Sequence, residues 1–135
     1  MDDKTLMREL MQTFQVEAEE HLQTLNQALL KLERQPEADL QAELVQEAFR
    51  TAHSLKGAAR AVSLPAIEKL AHGMEDVLKS VRDDALTLSA NICDVLYTTL
   101  DTIGKLMGGE ELPIDNLYSR LQELTDGKEP AATPK

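Results

Sequence analysis

The spacing of apolar side chains along the chain predicts a succession of α-helices. Apolar residues recur every three or four positions over long stretches, which is the spacing of one helix face. The first stretch runs from about Asp3 to Arg34 and is stopped by Pro36. Its apolar face consists of Leu6, Leu10, Phe14, Ala18, Leu22, Leu25, Leu29 and Leu32. We therefore expect one long helix to open the fold.

The second and third helices are separated by a short break at Ser63-Leu64-Pro65. The second helix begins near Asp39, which is expected to be its N-cap. Its apolar side carries Leu44, Val45, Ala48, Phe49, Ala52, Leu55, Ala59 and Val62. Pro65 suits the first turn of the third helix, with Ser63 or Leu64 as the cap. That helix carries Ile67, Leu70, Ala71, Met74, Val77, Leu78 and Val81, and Asp83-Asp84 ends it.

Two more helices complete the pattern. The fourth opens at Ser89, which is a good N-cap residue, and Gly108-Gly109 terminates it. It carries Ile92, Val95, Leu96, Leu100, Ile103 and Leu106, and a short fifth helix after Pro113 uses Leu117, Leu121 and Leu124. Short connections between amphipathic helices favour antiparallel neighbours. The fold class is therefore predicted to be all-α, an antiparallel up-down four-helix bundle with an additional C-terminal helix.

The pattern ends after Gly127. Residues 128–135 have no apolar stripe and contain two prolines, which is typical of a flexible linker. We expect a helical bundle domain over residues 1–127 and, over residues 128–135, a flexible linker to further domains of a longer protein. An ordinary frayed C-terminus is the alternative.

Composition narrows the function. Of the 135 residues 42% are hydrophobic and only 3% aromatic, so an aliphatic core is expected. The net charge of −10 disfavours binding to nucleic acid or to anionic membranes. Cys93 is the single cysteine, no signal peptide is evident, and no apolar run approaches the roughly 20 residues that span a bilayer. A cytoplasmic protein without membrane insertion, monomeric as an isolated domain, is expected.

Candidate chemistry is concentrated on the second helix. His53, Lys56, Gly57 and Arg60 lie three or four residues apart and therefore form one stripe on the helix surface. The stripe combines a nucleophilic imidazole, two cations and a position without a side chain. This set suits a histidine that receives a phosphoryl group and presents it to another protein. Gly57 is expected to keep the surface low for the approach of that protein.

The third helix offers an acceptor for a hydrogen bond from His53. His72 and Glu75 are three residues apart and share a face, and antiparallel packing of the two helices would bring that face to His53. Glu75 would then hold the imidazole proton on one nitrogen and leave the other free to attack. Lys56 would neutralise charge on the incoming phosphoryl group. His72 would be a second polar partner.

Two segments carry a resemblance to a known family. The run AFRTAHSLKGAA over residues 48–59 and the run LAHGMED over residues 70–76 resemble the histidine phosphotransfer (HPt) domain. They are similar in particular to the N-terminal phosphotransfer domain of CheA-type chemotaxis histidine kinases. The resemblance covers the chain through the fifth helix.

The resemblance implies that His53 is phosphorylated and that Lys56, His72 and Glu75 surround it. The implied partners are a CheA-like kinase catalytic domain and a response regulator receiver domain, in a two-component system whose parent protein is a sensor histidine kinase. Arg60 is expected to add phosphate affinity or to shape the choice of partner. Because the chain has no nucleotide-binding motif, it would be a carrier with no cofactor, and the separate kinase domain would use ATP and Mg²⁺.

Two other classes stay open. A non-catalytic adaptor bundle would tolerate the loss of His53, whereas a phosphocarrier would not. A metal-binding bundle could use His53, His72 and Glu75, although Lys56 would repel the cation. His21 is interpreted as a boundary histidine on an acidic helix face.

Overall fold

The computed structural model describes residues 2–127, and five α-helices account for most of this range. Their bounds are α1 Asp3–Glu33, α2 Ala38–Ala61, α3 Pro65–Arg82, α4 Ala90–Met107 and α5 Asp115–Thr125. The predicted all-α class and all five predicted helices are confirmed. The proposed linker, residues 128–135, lies outside the described residues. None of these five helices is both long enough and apolar enough to cross a membrane.

Several helix ends follow the predicted local chemistry. Ser89 caps α4, because its Oγ accepts a hydrogen bond from the backbone N–H of Ile92 at 3.2 Å. Pro65 is the first residue of α3, where its missing N–H is not needed. Gly109 follows α4 with a φ of 94°, a left-handed conformation that glycine adopts without strain. The turn chemistry of the sequence therefore sets these boundaries.

The predicted capping role of Asp39 is wrong. Glu37 occupies the N-cap position of α2 and makes no side-chain capping hydrogen bond. Asp39 lies two residues further on, within the first turn, where its carboxylate interacts favourably with the positive end of the helix dipole. The helix therefore begins at Ala38, before Asp39 and not after it.

The helices pack as a closed bundle with α5 on its outside. Contacts join α1 to α2 and α4, and α3 to α2 and α4, so that each of the four is next to two others. The fifth helix packs against α3 and α4. This arrangement confirms the four-helix bundle with an additional helix, and it places α3 between α2 and α5.

The core is aliphatic, as the composition predicted. The large side chains with less than 2% exposure are Leu25, Leu55, Leu70, Met74, Val77, Leu78, Ile92, Val95, Leu96, Ile103, Leu121 and Leu124. Nine residues of α3 are buried, which makes it the central helix of the fold. A side chain on α3 is therefore held in a fixed position relative to both α2 and α5.

The first turns of α1 differ from the prediction. Leu6 and Leu10 were assigned to the apolar core face but are 46% and 42% exposed, and burial on this helix begins at Phe14. The cause is length, because α1 has 31 residues whereas its neighbour α4 has 18. The end of α4 lies level with Gln15, whose Nε2 donates to the Met107 carbonyl at 3.3 Å. Residues before this level extend past the end of α4.

A close contact attaches α5 to α3. A Cβ added at Gly73 would lie 2.8 Å from Cδ1 and 3.1 Å from Cβ of Leu121. Glycine at this position therefore lets the two helices approach more closely than a residue with a side chain would. The Lys69 ammonium lies 4.6 Å from the centre of the Tyr118 ring at the other end of the contact. Gly73 therefore sets the depth at which Leu121 packs.

We expect Gly73→Ala and Gly104→Ala to have different effects on the free energy of unfolding. Both glycines lie inside helices, where alanine is favoured by about 1 kcal/mol. A Cβ at Gly104 meets nothing within 4 Å, so Gly104→Ala should be stabilising. At Gly73 the clash with Leu121 should cost roughly 1–3 kcal/mol and cancel or exceed that gain.

Urea unfolding followed by circular dichroism measures the difference. Gly73→Ala should be at least about 1 kcal/mol less stable than Gly104→Ala. Equal stabilisation by the two substitutions would mean that α5 does not pack closely on α3.

Candidate functional site

The outward face of α2 presents His53 to solvent. Ala52 and Leu55 are fully buried on either side of it in sequence and anchor this turn of the helix to the core. The His53 side chain itself is 64% exposed. The helix therefore holds the imidazole rigidly at its base and leaves the ring accessible to another molecule.

Glu75 on α3 joins His53 and Lys56. Glu75 is only 7% exposed, and its two carboxylate oxygens have different partners. Oε1 accepts a hydrogen bond from Lys56 Nζ at 2.7 Å, and Oε2 is hydrogen-bonded to His53 Nδ1. An ionised carboxylate only accepts hydrogen bonds, so His53 Nδ1 carries the proton and Nε2 keeps a free lone pair.

The environment of Glu75 favours its ionised form. Burial raises the pKa of this carboxyl group. The hydrogen bonds from Lys56 and His53, together with the charges of these two side chains, lower the pKa by more than burial raises it. The net result is a pKa below the ordinary value of 4.5. Glu75 is therefore a carboxylate at neutral pH, which is the state that the assigned tautomer of His53 requires.

His72 lies beside this network and outside it. Its Nε2 is 3.4 Å from Oδ2 of Asp76, one turn further along α3, and among the described residues no hydrogen bond joins His72 to His53. The expectation that His72 is a second polar partner of His53 is therefore corrected, because the two side chains are not hydrogen-bonded to each other. Glu75 faces α2, whereas His72 and Asp76 lie on the next face of the same helix.

Gly57 and Arg60 extend the exposed surface along α2. A Cβ at Gly57 would meet nothing within 4 Å, so the space beside His53 is open. Arg60 Nε lies 3.3 Å from Oε2 of Glu68 on α3, and the Arg60 side chain is 78% exposed. Glu68 was not among the residues predicted from the sequence. Its position two helical turns before Glu75, on the edge that faces α2, is the signal that could have identified it.

Phe49 forms a further contact between α2 and α3, one turn before His53. It was predicted to lie in the core, but it is only partly buried, and Cζ of Arg82 lies 4.4 Å from its ring centre. This is a cation–π contact, and it was not predicted. His53 therefore lies between two contacts that join α2 to α3. The cation–π contact of Phe49 with Arg82 is on one side, and the ion pair of Arg60 with Glu68 is on the other.

One cluster of possible metal ligands occurs among the described residues, and it does not include His53. Ligand atoms of His72, Glu75 and Asp76 lie within 4.8 Å of one another. Both oxygens of Glu75 are already hydrogen-bonded, and the Lys56 ammonium beside them would repel a cation. The arrangement is therefore poorly suited to a metal ion.

Comparison with known families agrees with this geometry. The family model described as Hpt domain matches residues 9–124. The chain belongs to the Hpt domain family. This confirms the resemblance drawn from the two sequence segments around His53 and Glu75.

Relatives of this Hpt domain include chemotaxis kinases. It is 38% identical over 89 residues to the chemotaxis protein CheA of Listeria monocytogenes, which covers 66% of this chain. It is 33% identical over 136 residues to the sensor histidine kinase CheAY of Helicobacter pylori, which covers 93% of this chain. The chain spans only 14% and 16% of the lengths of these two proteins.

Solved structures share the fold. The CheA phosphotransferase domain of Thermotoga maritima has a TM-score of 0.69 at 34% identity, covering 76% of this chain and 94% of that one. A solution structure of the histidine phosphotransfer domain of CheA has a TM-score of 0.74 at 28% identity, covering 100% and 98%. A third structure is the phosphorylated P1 domain of CheA3 in complex with CheY6 from R. sphaeroides. It has a TM-score of 0.75 at 23% identity, covering 88% of this chain and 97% of that one, and shows a likeness of fold alone.

The lowered pKa of Glu75 predicts a pH dependence of stability. Because the pKa in the folded state lies below that in the unfolded chain, the ionised carboxylate stabilises the fold. This contribution is complete above pH 4.5 and is lost as the pH falls through the folded-state pKa. Glu75→Gln should be about 1–3 kcal/mol less stable than the parent chain at neutral pH, and the gap should close in acid.

Urea unfolding of the parent chain, Glu75→Gln and Glu123→Gln over this pH range tests the prediction. Glu123 is exposed on α5 and serves as the matched control. A stability gap between Glu75→Gln and the parent that stays constant into acid would show that the ionised carboxylate does not stabilise the fold.

Proposed function

We propose that this Hpt domain is the phosphocarrier of a CheA-like chemotaxis kinase. His53 accepts a phosphoryl group from an ATP-binding kinase domain and passes it to an aspartate of a response regulator. The observation that supports this most is the hydrogen bond between His53 Nδ1 and the buried carboxylate of Glu75, with Nε2 left free on a ring that is 64% exposed.

The transfer follows from this arrangement. The Nε2 lone pair forms a bond to the γ-phosphorus of ATP while the bond to the bridging oxygen breaks and ADP leaves with that electron pair. The ring proton stays on Nδ1, so the imidazole gains positive charge, which the Glu75 carboxylate stabilises. In the second transfer an aspartate oxygen forms a bond to the same phosphorus, and the N–P bond breaks with its electrons returning to Nε2.

Lys56 has two roles in this proposal. Its ammonium offsets the charge of the buried Glu75 carboxylate, to which it donates at 2.7 Å. It also lies one turn from His53 on the same face of α2, where it attracts the anionic phosphoryl group. Positioning and charge are the main contributions a protein makes to phosphoryl transfer.

The relatives support the proposed partners. The similar proteins include CheA and CheAY kinases, and the R. sphaeroides structure is a phosphorylated P1 domain bound to CheY6. By this similarity the partners are a kinase catalytic domain, which uses ATP and Mg²⁺, and a receiver domain. The carrier itself uses no cofactor, and dependence on ATP places the reaction in the cytoplasm.

His53→Gln should abolish phosphorylation without unfolding the domain. Gln lacks the nucleophilic ring nitrogen. The ring of His53 is largely exposed, so the main loss of stability is its hydrogen bond to Glu75, about 1 kcal/mol, which is too little to unfold the domain. The chain is incubated with radiolabelled ATP and the kinase domain of a CheA-type protein from the same organism, and acid-labile label is measured. The chain without the kinase domain should take up no label.

His21→Gln is the matched control, because His21 is a half-buried histidine in the middle of α1 that takes no part in the hydrogen bonds between His53, Glu75 and Lys56. It should be labelled like the parent chain. Label on His53→Gln that disappears in the His53→Gln, His72→Gln double variant would move the acceptor to His72. Label on the parent with ATP alone would contradict the role of a carrier.

Glu75→Ala should slow phosphorylation of His53 while preserving partner binding. Without this acceptor the imidazole proton is shared between both nitrogens, so less of the reactive tautomer is present. Nitrogen chemical shifts of His53 measured by NMR report the tautomer, and transfer kinetics report the rate. An unchanged tautomer together with an unchanged rate would rule out the orienting role of Glu75.

A further inference from the structure

Four residues of α2 lie next to His53 on the helix surface. Residues three and four positions apart along a helix are neighbours, and at these positions the chain has Phe49, Arg50, Lys56 and Gly57. Successive residues turn by about 100° around the helix axis. Phe49 and Lys56 therefore lie on one side of His53. Arg50 and Gly57 lie on the other side.

The hydrogen bonds to Glu75 show which side of His53 faces α3. Lys56 Nζ and His53 Nδ1 both bind the Glu75 carboxylate, so the side with Lys56 is the side of α3. Nδ1 and Nε2 are on different edges of the imidazole ring, with a carbon atom between them. The free nitrogen Nε2 therefore points away from α3, over the side of α2 that carries Arg50 and Gly57.

Arg50 is the basic residue of α2 that has no ionic partner among residues 2–127. The helix has three basic residues, and the other two, Lys56 and Arg60, are paired with carboxylates of α3. Arg50 is exposed, on a stretch of surface that it shares with Glu43 and Glu47. Neither of these carboxylates forms an ion pair with it. Its guanidinium is therefore available to bind an anion that arrives at this surface.

The direction of the side chains brings the His53 ring close to Arg50. Helical side chains lean towards the N-terminus, so the imidazole lies over the preceding turn, which contains Arg50. The Cβ atoms of residues three positions apart are about 5–6 Å from each other, a separation that an arginine side chain can span. Gly57 on the other flank has open space around it. A phosphoryl group on Nε2 is therefore within reach of the Arg50 guanidinium.

We propose that Arg50 binds the phosphoryl group that His53 carries on Nε2. This inference rests on the proposed function. The guanidinium can donate paired N–H groups to two of the phosphoryl oxygens, a geometry that arginine favours. Lys56 offsets the charge of Glu75 on one side of the imidazole, and Arg50 offsets the charge of the transferred group on the other. Because the contact lies within one chain, it acts whichever protein donates or accepts the phosphoryl group.

Phosphoramidate, a small donor, tests this contact without a partner protein. Nε2 of His53 forms a bond to its phosphorus, and the P–N bond breaks with its electron pair leaving on ammonia. The parent chain is compared with Arg50→Gln and Arg120→Gln. Arg120 is exposed on α5, and its substitution removes the same charge from the chain. His53→Gln measures the phosphoryl uptake by His21 and His72, which is subtracted.

Arg50→Gln should slow phosphorylation of His53 about fivefold, the effect of one solvent-exposed charge contact. Phosphorus NMR gives a second readout, the pKa of the phosphoryl group on His53. A bound cation favours the more highly charged form, so Arg50→Gln should raise this pKa by roughly half a pH unit. Arg120→Gln should match the parent in both measurements. Circular dichroism should show equal helix content, because Arg and Gln are both good helix formers.

An unchanged phosphoryl pKa in Arg50→Gln would overturn the proposal, because the guanidinium would then not touch the group. An equal rise of this pKa in Arg120→Gln would also overturn it, since net charge alone would then explain the effect. Failure of the proposed function is a different result. The kinase domain would then leave the parent chain unlabelled, while phosphoramidate would still report whether Arg50 binds the group on His53.

Discussion

The buried carboxylate of Glu75 is the interaction on which the site depends. An ionised group with 7% exposure is costly unless it is fully hydrogen-bonded. Lys56 and His53 each bind one of its oxygens, so a single side chain on α3 satisfies two side chains on α2. The same contacts join the two helices and fix the tautomer of His53. Removal of Glu75 would affect structure and chemistry together.

The rest of the bundle keeps this carboxylate in position. The close approach of α5 at Gly73 and Leu121 holds α3 from one side, and α2 holds it from the other. The Phe49–Arg82 contact and the Arg60–Glu68 ion pair join α2 and α3 on both sides of His53. His53 therefore projects from a rigid support, and its side chain needs little rearrangement to meet a partner. A rigid support suits the proposed function, in which His53 reacts in turn with two different proteins.

Charge is unevenly distributed in this domain. Its net charge of −10 disfavours contact with nucleic acid and with anionic membranes. Beside His53 the cations Lys56, Arg60 and Lys69 lie close together, and Glu75 and Glu68 pair with the first two. In the proposed function Lys56 attracts the anionic phosphoryl group to this part of the domain.

Local patterns in the sequence determined the five helices, most of their ends, the bundle and the pairing of His53 with Glu75. These features depend on spacing within one helix or on the packing of consecutive helices, and residues 48–76 contain the two residues of the His53–Glu75 pair. Tertiary structure decided the rest. The periodicity of Leu6 and Leu10 shows an apolar face but not that α1 extends past α4. Likewise, the pairing of Arg60 with Glu68, and the position of His72 away from His53, depend on the rotation and register of α3 against α2. Those are set by packing across the whole core, which no single helix encodes.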